Sequence, residues 1–256
     1  MYNPIKELGQ NFLADNTVIE QMVRSLEIAE NDEIIEIGPG LGAVTEFIAR
    51  ETFSTNFKLY AVEIDQRFIL KLEDMYSTKL HIQVVNDDIL NFLPKFQPTT
   101  PNANVKVIGS LPFYITSPII HAIIKMHSLP KTVVLLVQKE VAQKIVSKEP
   151  DNCYLSVFVQ TFYNAQYVCD VPATSFKPAP TVDGAIIKFA AHQTTMTPDL
   201  IEKYEGFLHK GFSNPRKMLN KAFSLQQLWD AEIDPALRAQ AISTQKWLEF
   251  FRKVCL

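Results

Sequence analysis

Apolar residues recur along this chain with two alternating periods, and the alternation predicts a layered α/β fold. Val18, Met22 and Leu26 stand at helical spacing behind Asp15, a side chain suited to cap a first turn, so an amphipathic helix is expected there. Short apolar runs follow at Glu33 to Ile37, Lys58 to Val62, Ile82 to Val85 and Val105 to Ile108. Helical patterns separate the first of them, one running through Arg50 and another from Asp65 to Met75. Such alternation implies a parallel sheet, because each helix carries the chain back to the edge where the last strand began. Ile115 to Met126, Val133 to Val137 and Val141 to Val146 continue the series. The β-rich stretch from Leu155 to Val171 predicts an antiparallel strand pair closing one edge, with Ile186 to Phe189 as the last strand. Beyond His192 only helical periods remain, broken by Pro198, Pro215 and Pro235. The expected organisation is an α/β domain over residues 1–190, a linker around Ala190 to Thr197, and a small all-helical domain over residues 191–256.

Composition adds little to this picture. Of 256 residues, 47% are apolar and 21% charged, enough to bury one large core and a small one. No run of about 18 uncharged apolar residues occurs, and the first residues lack a basic stretch followed by an apolar one, so a cytoplasmic protein without membrane contact is expected. Cys153, Cys169 and Cys255 lack metal-ligand spacing, which predicts reduced thiols and no metal site. The net charge of −3 divides as −5 over residues 1–190 and +2 over the remainder. The basic share is concentrated: Lys203, His209, Lys210, Arg216, Lys217 and Lys221 have only Glu205 as an acid among them. A local cationic stretch of this kind suits a phosphate backbone.

The first chemical signal lies where the first predicted sheet strand turns into a helix. Gly38-Pro39-Gly40-Leu41-Gly42 follows Glu36 there, and glycines at such a turn let the backbone approach a ligand closely. The spacing also satisfies a dinucleotide fingerprint, with Glu63 in the position of a ribose-binding acid, so a nicotinamide-dependent dehydrogenase is one alternative. Two details favour S-adenosylmethionine. A carboxylate at Glu36 repels a pyrophosphate and suits an amino group and a sulfonium, and Pro39 removes a backbone N–H from any phosphate cradle. Asp88, at the end of the third predicted sheet strand, is placed to accept an adenine amino proton, with the apolar Ile89 beside the ring.

The second signal is Ser110-Leu111-Pro112-Phe113, directly after the predicted strand Val105 to Ile108. It fits the pattern of Asn, Asp or Ser, a variable residue, Pro and an aromatic found in enzymes that methylate exocyclic amino groups of bases. An adenine amino nitrogen is a poor nucleophile because its lone pair is delocalised, so a site must accept its N–H bonds and favour a pyramidal nitrogen. Ser110 and the Leu111 carbonyl are candidate acceptors, Pro112 stiffens the turn, and Phe113 is placed to stack on a base drawn out of its own stack. Phe176, on a proline-stiffened loop, is the candidate for the opposing ring. A sulfonium is a strong leaving group, so the chemistry calls for neither a metal nor a general base.

These motifs together resemble the ribosomal RNA small-subunit adenine dimethyltransferases, the KsgA/RsmA family, over nearly the whole chain. The matching elements are Leu8-Gly9-Gln10-Asn11-Phe12-Leu13, Glu36 to Gly42, Val62-Glu63-Ile64-Asp65, Asp88-Ile89 and Gly109 to Phe113. Thr116-Ser117-Pro118, Val137-Gln138-Lys139-Glu140-Val141 and Phe176 to Asp183 follow at similar spacing, and Gly211 to Lys217 is similar to the family's Phe-x-x-Arg-Arg-Lys element. The resemblance implies a Rossmann-like class I S-adenosylmethionine-dependent methyltransferase domain followed by an rRNA-contacting helical domain. It implies dimethylation of two adjacent adenosines in a hairpin near the 3′ end of small-subunit rRNA, during ribosome assembly. By position, Asn11 and Leu13 would contact the cofactor's methionine end, with Gly38 and Gly40, and Gln10 would also bind the cofactor. Glu63 would take its ribose hydroxyls and Asp88 its adenine amino group, Ile64 and Ile89 would bind the cofactor beside them, and Ser110 would border cofactor and target alike. Lys139, Lys177, Lys210, Arg216, Lys217 and Lys221 would contact RNA.

Three departures qualify the match. Ser110 stands where the family has Asn, Phe113 where it has Tyr, and Asp151 to Ser156 lacks the family's Tyr-Gly pair. The shorter serine predicts a longer hydrogen bond to the target and slower turnover. Two further alternatives stay open at this point: a large-subunit rRNA adenine methylase of the antibiotic-resistance type, and a catalytically demoted RNA-binding assembly factor supported by Ser110 alone. A monomer is expected, because no heptads occur.

Overall fold

Strand and helix signals convert into structure most directly in the first half of the chain, within a computed structural model that describes residues 10–51, 56–192 and 196–256. Leu8 and Gly9 of the N-terminal motif and residues 193–195 of the expected linker lie outside the described residues. In order, β1 (Phe12–Leu13), α1 (Asn16–Leu26), β2 (Glu33–Ile37), α2 (Ala43–Glu51), β3 (Lys58–Glu63), α3 (Gln66–Tyr76), β4 (Ile82–Asn86) and α4 (Ile89–Phe92) lead to β5 (Val105–Ser110). Then come α5 (Thr116–Ile124), β6 (Thr132–Gln138), α6 (Lys139–Val146), α7 (Tyr154–Phe162), β7 (Tyr163–Val171), β8 (Phe176–Lys177) and β9 (Gly184–Ala191). The chain ends in α8 (Pro198–Phe212), α9 (Leu225–Asp230) and α10 (Thr244–Cys255). Asp15 caps α1 as its sequence predicts, accepting from the backbone N–H of Thr17 and Val18.

Among the described residues seven strands form one sheet in the order β4-β3-β2-β5-β6-β9-β7. Those from β4 to β6 pair in parallel, and β9 enters antiparallel to β6, with Thr132 opposite Ala190 and Gln138 opposite Gly184. Every residue of β2 is buried, as are the first six of β6, which is why these central strands read as continuous apolar runs rather than alternating ones. Because β2 has β3 on one side and β5 on the other, the chain reverses direction across the sheet at this point. A crevice opens there at the carboxyl ends of the strands, the standard ligand position of such sheets.

The described residues form two compact units, one within residues 10–142 and 166–191, the other within residues 143–165 and 192–256. The expected division at residues 190 and 191 therefore misses the segment 143–165. The expected strand pair from Leu155 to Val171 is likewise replaced by helix α7 and the single strand β7. Local and tertiary signals explain both differences. Cys153 and Ser156 form a reciprocal capping box at the start of α7, and its apolar residues pack on α8 and α10 rather than in a sheet. Strand β9 also takes Ala190 and Ala191 out of the expected linker.

The second unit has an aromatic core in which Tyr204, Phe207, Phe250, Phe251 and Trp247 are buried. A Cβ on Gly211 would lie 2.3 Å from Trp247 Cη2. Trp247 is fully buried and donates its indole N–H to the Ala239 carbonyl at 3.2 Å, so the ring has no room to withdraw. Gly211→Ala is therefore expected to destabilise the protein by about 2 kcal/mol, as other overpacked cores are, read as a lower denaturant midpoint at unchanged m.

Candidate active site

The crevice is shaped by the loop after β2. Gly38, Gly40 and Gly42 all adopt positive φ, of 62°, 54° and 87°. At Gly40 the requirement is double, since its backbone is left-handed and a Cβ would sit 3.2 Å from the Phe12 ring. The Gly40 N–H donates to Glu63 Oε2 at 2.9 Å, while Glu63 Oε1 accepts from the N–H of Ile64 and of Asp65, both at 2.9 Å. Glu63 thus clamps the glycine loop to the end of β3. Burial pushes its carboxyl up, and the three amides pull it back.

Glu36 lies at the base of the same loop, 2% exposed, accepting the Thr45 hydroxyl at 2.7 Å. Burial pushes its carboxyl up to about 7, with the nearby Glu63 adding to the effect. Asp88 caps α4, accepting from the Leu90 N–H through Oδ1 at 2.9 Å; among the described residues nothing donates to Oδ2. Asp65 has a different task. The Arg67 guanidinium, and after it the Gln10 amide, hold its carboxyl at about 2. Gln10 donates to Asp65 Oδ2 at 2.8 Å and accepts from Arg67 at 3.2 Å, which latches the start of the segment 10–13 to α3. Phe12 adds an edge-on contact with Phe68 at 5.5 Å. The far end of the segment is fixed by β1 pairing with β8, Leu13 opposite Phe176, and by the Ala14 N–H donating to the Ser175 carbonyl at 2.8 Å.

On the other side of the crevice, β5 ends at Ser110, opposite Leu136 of β6. The Leu111 N–H donates to the Leu136 carbonyl at 3.0 Å, and Pro112 starts a 3-10 turn over Phe113–Ile115. Among the described residues neither the Ser110 hydroxyl nor the Leu111 carbonyl is engaged in a hydrogen bond, so both remain available as acceptors. Phe113 is half-buried. Phe176 is 4% exposed and packs in the main core as well as lining the crevice, so little of its ring is available to a second molecule.

Gln10, Asn11, Leu13, Gly38, Gly40, Glu63, Ile64, Asp88, Ile89, Ser110, Leu111, Pro112, Phe113 and Phe176 all line this one cavity. The candidate RNA contacts do not share it. In the first unit, Lys139 is ion-paired with Asp170 at 2.6 Å and its backbone N–H donates to the Asp183 carbonyl, while Lys177 is exposed on β8. In the second unit Arg216, Lys217 and Lys221 are exposed, and Lys210 lies over the Phe223 ring at 4.9 Å. Sequence reasoning missed the Gln10–Asp65–Arg67 latch and the lining residue Tyr114. The first joins positions far apart in the chain, and the second follows the Ser-Leu-Pro-Phe turn without a pattern that gives its direction.

A mostly parallel sheet with its glycine loop at the switch point, an acid closing β3 and another just beyond β4 defines a Rossmann-like class I methyltransferase. Two solved structures share the fold: a dimethyladenosine transferase from Plasmodium falciparum, 22% identical over 94% of this chain and 98% of that one with a TM-score of 0.77, and the 23S rRNA methyltransferase ErmE, 23% identical over 96% and 100% with a TM-score of 0.74. The family described as ribosomal RNA adenine dimethylase matches residues 2–254, and this chain belongs to it. Among its relatives are proteins named ribosomal RNA small subunit methyltransferase A. That of Sulfurihydrogenibium sp. strain YO3AOP1 is 36% identical over 97% of this chain and 95% of its own length. The Mycoplasmopsis pulmonis protein is 36% identical over 96% and 97%.

Proposed function

We propose that this enzyme uses S-adenosyl-L-methionine to dimethylate the N6 atoms of two adjacent adenosines in a hairpin near the 3′ end of small-subunit rRNA, acting on a precursor of the small ribosomal subunit. The observation that carries the reading is the single cavity shared by Glu36 of β2, Glu63 of β3, Asp88 at the start of α4 and the Ser110–Phe113 turn. Relatives covering almost the whole chain and named for the small subunit support the choice of substrate.

The residues present fit the cofactor. Three carboxylates around the glycine loop suit an ammonium, ribose hydroxyls and an adenine amino group, and the Gly40 N–H is already committed to Glu63 rather than open to a phosphate. When bound, the cofactor supplies an electrophilic methyl group on a sulfonium. Ser110 and the Leu111 carbonyl accept the two N–H bonds of the target amino group and draw its lone pair out of the ring. Pro112 holds that geometry, since its fixed φ leaves the turn little freedom. Phe113 covers one face of the extruded base. The exposed cations Arg216, Lys217 and Lys221 contribute contacts to the phosphate backbone.

Incubation with tritiated S-adenosyl-L-methionine and unmethylated small subunits, with large subunits in parallel, is expected to place label in N6-methylated adenosine of the small subunit alone. Label confined to the large subunit would overturn the substrate. Cofactor binding without any label would overturn the reaction.

A further inference from the structure

Among the described residues that line the cavity, only two large apolar side chains stand more than half exposed: Ile64 at 53% and Tyr114 at 64%. Their places in the chain differ in meaning. Ile64 follows Glu63 at the cofactor end, whereas Tyr114 follows the Ser110–Phe113 turn, where the target base enters. Phe113 and Tyr114 are consecutive in one 3-10 turn, the first half-buried in the wall and the second projecting into solvent at the rim. Among the described residues nothing hydrogen-bonds the Tyr114 hydroxyl. Phe176 is too buried to provide an outer ring.

Resting on the reading above, we propose that Tyr114 forms a second base subsite, where its ring stacks on the adenine next to the one being methylated. A base drawn into the pocket leaves its neighbour with one face bare, and the cost of that unstacking opposes binding. An exposed aromatic ring at the mouth covers the bare face, and such stacking is worth about tenfold in affinity per base. The contact needs a ring face and no hydrogen bond, so it tolerates loss of the hydroxyl. Because the two target adenosines are adjacent, the neighbour is the other substrate: one adenine is held outside on Tyr114 while the first is inside.

The test is a double-mutant cycle on binding. Wild type, Tyr114→Phe and Tyr114→Ala are titrated, with S-adenosylhomocysteine present, against an RNA hairpin of the 3′-end sequence and against the same hairpin with the neighbouring adenosine made abasic. Wild type and Tyr114→Phe are expected to lose about tenfold in affinity on the abasic RNA. Tyr114→Ala is expected to bind the intact hairpin about tenfold more weakly and to show no further loss on the abasic one. On unmethylated small subunits Tyr114→Ala should raise KM more than it lowers kcat, with the dissociation constant of S-adenosylhomocysteine unchanged. Losses that multiply, Tyr114→Ala within twofold of wild type, or a wild type indifferent to the abasic site would each overturn the proposal. The binding cycle requires no turnover, so failure of the wild type to methylate small subunits would count against the proposed function, while the role of Tyr114 is decided by the cycle.

Discussion

Ser110→Ala is expected to lower kcat on unmethylated small subunits by about a hundredfold with little change in KM for RNA. The reason is electronic. The target amino group develops positive charge as its lone pair leaves the ring, so an acceptor beside it is strengthened in the transition state relative to the ground state. Only such differential contacts raise kcat, and removal of one positioned polar group typically costs about 10²–10³ in rate. The Ser110 hydroxyl is available for this task, since no other hydrogen bond claims it among the described residues. It ends β5, where the ladder to β6 and the Leu111-to-Leu136 bond fix the backbone, so loss of its oxygen leaves the turn in place. Ser110→Asn is expected to preserve or raise turnover, because the longer side chain carries an acceptor closer to the target. Single-turnover rates at saturating cofactor measure both effects. Wild-type turnover by Ser110→Ala would remove the residue from the chemistry, and a slower Ser110→Asn would remove side-chain length as the explanation of a low rate.

Glu36→Gln is expected to separate stability from cofactor binding. In the wild type the buried Glu36 carboxyl titrates near 7 rather than at its ordinary value of 4.5. A carboxyl with a raised folded-state value favours folding of its neutral form. Its contribution is fully present below about 4.5 and is lost as pH rises through about 7, a range worth roughly 3 kcal/mol. Glutamine keeps an acceptor for Thr45 and carries no charge to desolvate, so the variant should come within about 1 kcal/mol of the wild type at pH 5 and exceed its stability more clearly at pH 8. Cofactor binding should change in the opposite sense. A cationic ammonium favours ionised Glu36, so wild-type affinity should fall by up to tenfold per pH unit below about 7. The variant should bind about a hundredfold more weakly at pH 8 and show no such pH dependence. Calorimetric titration and denaturant melts at both pH values check the pair of effects. Equal cofactor affinity for both proteins at pH 8 would remove Glu36 from the cofactor site.

Local patterns carried most of what was legible in the sequence. The parallel core was legible because fully buried strands must be apolar throughout, and the glycine loop because left-handed backbone at Gly38, Gly40 and Gly42 favours that residue. Asp15 was legible as a cap because its partners lie within three residues of it. The tetrapeptide Ser110–Phe113 stood out because its composition suits the chemistry of an amino nitrogen, and the structure places all four residues in the wall of the cavity.

Tertiary structure decided whatever depends on partners distant in the chain. Leu155 to Phe162 is rich in residues suited to a strand, yet it is helical because a capping box and an aromatic core in the second unit outweigh that weak preference. The Gln10–Asp65–Arg67 latch and the pairing of Leu13 with Phe176 leave no local trace, since each joins segments that meet only when the sheet is complete. Exposure is decided in the same way. Phe176 and Tyr114 are both aromatic and both line the cavity, but one ring fills the core and the other stands at the rim, a difference set by what surrounds each side chain after folding.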